Sequence, residues 1–92
     1  MAVLAESDLK QQVSELDGWE VRGGALEKSF DRGDFDGSIA FVNTIARAAN
    51  EADHHPDISV AWDMVTLRWV NHAEGGITEK DVVMARKSDE LA

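Results

Sequence analysis

The stretch HHPDISVAWDMVTLRWVNH, residues 54–72, holds the end of a helix and a pair of strands. Ile58-Ser59-Val60-Ala61-Trp62 alternates in the manner of a strand, and Asp63-Met64 supplies a turn. Val65-Thr66-Leu67-Arg68-Trp69-Val70-Asn71-His72 then runs back as a second strand. In it Val65, Leu67 and Trp69 share one face, while Thr66, Arg68, Val70 and His72 share the other. Pro56 disfavours helical angles at the residue before it, so a helix arriving from upstream must end here.

That upstream helix is legible in Ile39, Val42, Ile45/Ala46, Ala49 and Ala52, a single stripe at helical spacing. It follows a polar connection from Asp31 to Gly37. Before the connection, Trp19 to Phe30 reads as a hairpin turning at Gly23-Gly24. The first apolar set, Leu9, Val13 and Leu16, predicts a helix with Ser7 as N-cap, Asp8 in its first turn and Gly18 as its stop. Downstream, Gly75-Gly76 breaks the chain, and Thr78-Glu79-Lys80-Asp81 opens a last helix with a capping box, carrying Val82 and Ala85. The element order is therefore α-β-β-α-β-β-α. The expectation is one α+β domain over residues 1–92, a four-stranded antiparallel sheet with three helices packed on one face.

Composition narrows the function. The 92 residues carry 9 Lys+Arg against 18 Asp+Glu, a formal net charge of −9. An acidic field without a basic stripe opposes phosphate backbones, so no nucleic-acid partner is expected. No apolar run is long enough to span a membrane, and Met1–Glu6 does not read as a signal peptide. The chain has no cysteine, which removes disulfides, thiolate metal sites and cysteine nucleophiles. A cytoplasmic location is the expectation.

The chemistry lies in three histidines. His54 and His55 are adjacent and followed by Pro56, and His72 ends the second strand, so the hairpin can bring all three together. Histidine titrates near neutrality and is the usual proton donor or acceptor at physiological pH. The competing readings are a pair of exposed loop imidazoles and a three-histidine zinc site, although adjacent histidines point apart. Asp81 has a structural account as the third residue of a capping box, and the same placement can aim its carboxylate toward His72. Trp62 can stack on a heterocycle. Trp69 reads as core, and Arg68 as part of a solvated sheet face. Arg32-Gly33-Asp34 spells an adhesion tripeptide without a secreted context. Asp34-Phe35-Asp36-Gly37 lacks the remaining acids of a calcium loop, with Arg32 and Asn43 where they would stand.

Together, His54-His55-Pro56, five residues, Trp62, nine residues, His72, eight residues and Asp81 resemble the signature of the pterin-4a-carbinolamine dehydratases. Asp57-Ile58 and Gly75-Gly76-Ile77-Thr78 also resemble bacterial members, and the element order matches that family's fold. Three positions depart from it. Asn50 stands where an acid is usual, Asp53 where Asn is frequent before the histidine pair, and Asn71 where Thr is frequent before the third histidine.

The resemblance implies dehydration of 4a-hydroxytetrahydropterin to quinonoid dihydropterin, in tetrahydrobiopterin recycling, with no metal and no cofactor. It implies a catalytic set of His54, His55, His72 and Asp81, with His54 and His72 as proton-transfer groups on opposite faces of the pterin. His55 with Pro56 would bind the ring, His55 also stabilising its developing positive character. Asp81 would orient His72, and Trp62 would wall the pocket. It further implies a homodimer or homotetramer. The alternative is a non-catalytic binding or dimerisation cofactor on the same fold.

Overall fold

The computed structural model describes residues 2–92. The elements in chain order are α1 (Glu6–Ser14), β1 (Glu20–Arg22), β2 (Ala25–Asp31), α2 (Phe35–Ala52), β3 (Asp57–Ala61), β4 (Met64–Trp69) and α3 (Glu79–Leu91). The four strands form one antiparallel sheet in the order β1-β2-β4-β3. The expected α-β-β-α-β-β-α order and the three-helix, four-strand architecture are both present.

Two hairpins supply the local pairs. Arg22 pairs with Ala25 across Gly23-Gly24, and both glycines have positive φ, as the tight turn between twisted strands requires. Ala61 pairs with Met64, so the second turn is Trp62-Asp63, one residue earlier than the sequence suggested. Trp62 thereby leaves the strand and adopts φ +52°. The Ser38 hydroxyl donates to its carbonyl at 2.7 Å, tying the turn to the first turn of α2. The long-range step is β2 against β4, with Leu26 opposite Trp69 and Phe30 opposite Val65.

Alternation along β4 sends Val65, Leu67 and Trp69 inward, each fully buried, where they meet Leu26, Ile45 and Val82. The other face carries paired polar groups, Arg68 to Glu27 at 2.7 Å and Ser29 to Thr66 at 2.8 Å. In α2 the buried positions are Ser38, Phe41, Ile45, Ala48 and Ala49. That stripe is rotated from the expected one, because Phe41 packs on Phe30 at 5.0 Å between ring centroids and leaves Ile39 exposed. The helix also starts earlier than expected. Asp34 is its N-cap and accepts from the Gly37 amide at 2.7 Å, which gives the Arg32-Gly33-Asp34 string a structural role. At α1 the N-cap is Ala5, and Ser7 lies inside the first turn. No described helix is long and apolar enough to cross a membrane.

A polar clamp locks the α1–β1 connection to the end of α3. Asp89 accepts from the Trp19 indole N–H at 3.0 Å and from Lys28 at 2.8 Å, and Lys28 also donates to the Asp17 carbonyl at 2.8 Å. Asp89→Ala leaves the indole N–H of the buried Trp19 without its acceptor. We expect it to cost about 1–3 kcal/mol, read as a lower urea midpoint with an unchanged slope.

Candidate active site

The site is assembled at one end of the sheet, where α2 ends, β3 begins, β4 ends and α3 begins. Helix α2 stops at Ala52 because Asp53 takes a left-handed conformation, φ 50° and ψ 43°. The His54 amide then bonds back to the Ala49 carbonyl at 3.1 Å. This reversal, rather than Pro56 alone, ends the helix and sends the two adjacent imidazoles in different directions.

His54 turns inward. Its Nε2 meets Oδ1 of Asp81, a residue with no exposed surface, and its ring stacks on the Trp69 indole at 5.6 Å and 27°. Asp81 is the third residue of the capping box at the start of α3. Its Oδ2 accepts from the Thr78 amide at 2.8 Å and from the Thr78 hydroxyl at 3.1 Å. One carboxylate therefore caps the helix with one oxygen and holds a histidine with the other. Because a carboxylate only accepts, the ring nitrogen facing it carries the hydrogen, and Nδ1 is the nitrogen left for a reacting proton.

His55 turns outward, and its Nε2 bonds to Oδ1 of Asn50 at 2.9 Å, one helical turn back on α2. The residue that departs from the family pattern thus supplies a neutral acceptor where the usual acid would be charged. His72 lies beyond the end of β4, at 72% side-chain exposure, with Nε2 3.5 Å from the carboxylate of Asp57. That contact puts His72 beside the residue following Pro56, so the three histidines do share one end of the sheet. Their Nε2 atoms face three different partners. Among the described residues, no group of three or more His, Cys, Asp or Glu is arranged to hold a metal ion.

Two expected pairings come out differently. The partner of Asp81 is His54, not His72, because the inward histidine reaches the α3 N-terminus while His72 stays in the exposed turn. Trp62 sits in the β3–β4 turn, 71% exposed. The strand from Asp57 separates it from the histidines by roughly 16 Å at about 3.3 Å per residue, so it does not wall this site within one chain. Thr78, Asn50 and Asp57 hold side chains of the site without having been expected there, and Trp69, core as expected, also carries the His54 ring. The signal for Thr78 was already in its capping box. Asn50 stands where the resemblance places an acid, and nothing local marks the contact of Asp57 or the stacking of His54 on Trp69.

The profile of the family described as pterin 4 alpha carbinolamine dehydratase matches residues 2–91. A protein of Thermosynechococcus vestitus, provisionally named pterin-4-alpha-carbinolamine dehydratase, is 44% identical over 89 residues, covering 97% of this chain and 94% of the relative. One from Mycobacterium sp. (strain KMS), with the same provisional name, is 46% identical over 91 residues, covering 99% and 97%. Among solved structures, a transcriptional coactivator/pterin dehydratase from Brucella melitensis matches with a TM-score of 0.92 at 35% identity over 98% of each chain. A pterin dehydratase-like protein identified as a RuBisCO assembly factor in the alpha-carboxysome matches with a TM-score of 0.68 at 26% identity, covering 82% of this chain and 89% of that one. With the profile and these relatives spanning nearly its whole length, this chain belongs to the pterin 4 alpha carbinolamine dehydratase family.

Proposed function

We propose that this protein dehydrates 4a-hydroxytetrahydropterin to quinonoid dihydropterin, as a hydro-lyase that recycles a tetrahydrobiopterin-type cofactor. The observation that carries the reading is the pairing of His54 with the buried Asp81, at the end of the sheet that also holds His55 and His72, in a chain of this family. The reaction breaks the C4a–O bond and forms the C4a–N5 double bond. The N5 proton passes to a base, and the hydroxyl leaves as water with a proton from an acid. The N5 lone pair supplies the push, so two positioned imidazoles suffice, each worth about 10²–10⁴-fold.

In this reading His54 is one proton-transfer group, its tautomer fixed by Asp81, and His72 is the other, working from the exposed side. His55, with Pro56 setting its backbone, binds the ring. The protein works in the cytoplasm, a compartment its cysteine-free composition suits, and it works as a homodimer or homotetramer. The open edges of β1 and β3, with Phe35 and Ile39 exposed on α2, support self-association. Light scattering on the purified chain reads its mass directly, and a monomer would remove that part.

A non-catalytic binding role is the second reading, favoured by the structural neighbour identified as an assembly factor. One assay separates the two. Enzymatically generated 4a-hydroxytetrahydropterin is followed by ultraviolet absorbance with wild type and with His55→Ala. Wild-type turnover well above the spontaneous rate, collapsing in the variant while the oligomer persists, is the expected result. Wild-type turnover no faster than the spontaneous reaction would sink the dehydratase reading and leave the binding role.

A further inference from the structure

We propose that Trp69, locked by Ser88, is the positioning residue of the His54–Asp81 pair, holding the imidazole in the plane from which Asp81 can grip it. Trp69 has no exposed surface, and its neighbours on the inner face of β4, Val65 and Leu67, fill the core with aliphatic groups alone. At Trp69 the chain instead presents a flat ring, with the His54 imidazole stacked on it at 5.6 Å and 27°. The indole is itself fixed. Its Nε1–H donates to the Ser88 hydroxyl at 3.0 Å, and that hydroxyl donates to the Met84 carbonyl at 2.7 Å.

Ser88 and Asp81 are seven residues apart on α3, two turns along the same buried face. One helix therefore sets both constraints on His54: Asp81 holds an edge of the ring, and Ser88 holds the surface the ring lies on. A single hydrogen bond leaves an imidazole free to rock about the axis through the bonded nitrogen. A stacked face removes that freedom, and about 1 Å of misplacement at a reacting group can cost up to about 10²-fold in rate. Trp69 touches neither substrate nor reacting atoms and acts only through His54.

The activity arm of the test rests on the dehydratase reading, and the spectroscopic arm does not. By NMR, the His54 ring protons of the wild type should lie upfield of those of His55 and His72, through the indole ring current. The His54 Nε2–H should give a downfield signal protected from exchange. In Trp69→Leu both signatures should vanish and kcat should fall about 10–100-fold with KM within about twofold. Trp69→Phe, which keeps a flat face but lacks the N–H that Ser88 holds, should recover part of kcat and a Nε2–H signal that exchanges faster than in the wild type.

A folded Trp69→Leu protein with an unchanged Nε2–H signal overturns the proposal. Should that variant fail to fold, Ser88→Ala decides. Faster exchange of the Nε2–H supports the lock, and an unaltered rate overturns it. A wild type that does not dehydrate the pterin counts against the functional reading, while the Nε2–H signal still decides the role of Trp69.

Discussion

Asp81→Ala is expected to destabilise the protein by about 2–4 kcal/mol, measured as a fall in urea midpoint. The carboxylate has no exposed surface and accepts from the Thr78 amide, the Thr78 hydroxyl and His54. Its removal leaves at least two buried donors without an acceptor, each costing about 1–3 kcal/mol, and strips the α3 N-terminus of its capping box. Against a total of about 5–14 kcal/mol for a chain of this length, that is a large fraction. Asp81→Asn separates shape from chemistry. The amide keeps the volume but has one acceptor oxygen and one donor nitrogen, so its NH₂ must face either the Thr78 amide or His54. A smaller loss of stability than in the alanine variant is expected, with a loss of turnover approaching that of a histidine variant. An unchanged midpoint in Asp81→Ala would show that the capping box and the His54 contact contribute nothing net.

His54→Ala is the variant with the largest expected effect on rate. If His54 transfers a proton in the dehydration, kcat should fall by about 10²–10⁴-fold. Asp81 loses one of its three donors at the same time, so a stability loss of about 1–3 kcal/mol accompanies it. The two effects are separated by a double-mutant cycle of His54→Ala with Asp81→Asn. Residues in direct contact couple by about 0.5–3 kcal/mol, and residues acting as one unit lose little further rate when the second is removed. Additive losses of rate would mean that Asp81 serves turnover by some route other than His54. A His54→Ala protein with wild-type kcat would move the chemistry to His55 and His72.

Much of this molecule is written locally in its chain. The period-two pattern of Val65, Leu67 and Trp69 fixes which face of β4 is buried, because successive side chains point to opposite sides. Gly23-Gly24 fixes the first hairpin, because both central residues need positive φ. The capping box at Thr78 and Asp81 fixes the start of α3. The second turn lies one residue before Asp63-Met64, where no glycine marks it and Trp62 takes positive φ. The buried stripe of α2 includes Phe41, and contact with Phe30, not spacing, sets the rotation of that helix.

The site divides along the same boundary. Three histidines, one aspartate and their spacing were all visible in the sequence, and the family followed from them. Which histidine meets Asp81 was not visible. Spacing gives distance along the chain, whereas direction depends on the left-handed Asp53 that turns His54 inward and His55 back toward Asn50. The distance from Trp62 to the histidines, the contact of His72 with Asp57, and the stacking of His54 on Trp69 depend on the order β1-β2-β4-β3 and on α3 packing against β2 and β4. Periodicity, turns and caps are short-range physics, so the elements, their order and the reactive groups can be read along the chain. The partners of those groups follow from folding, because burial of a common core brings together residues that share no local signal.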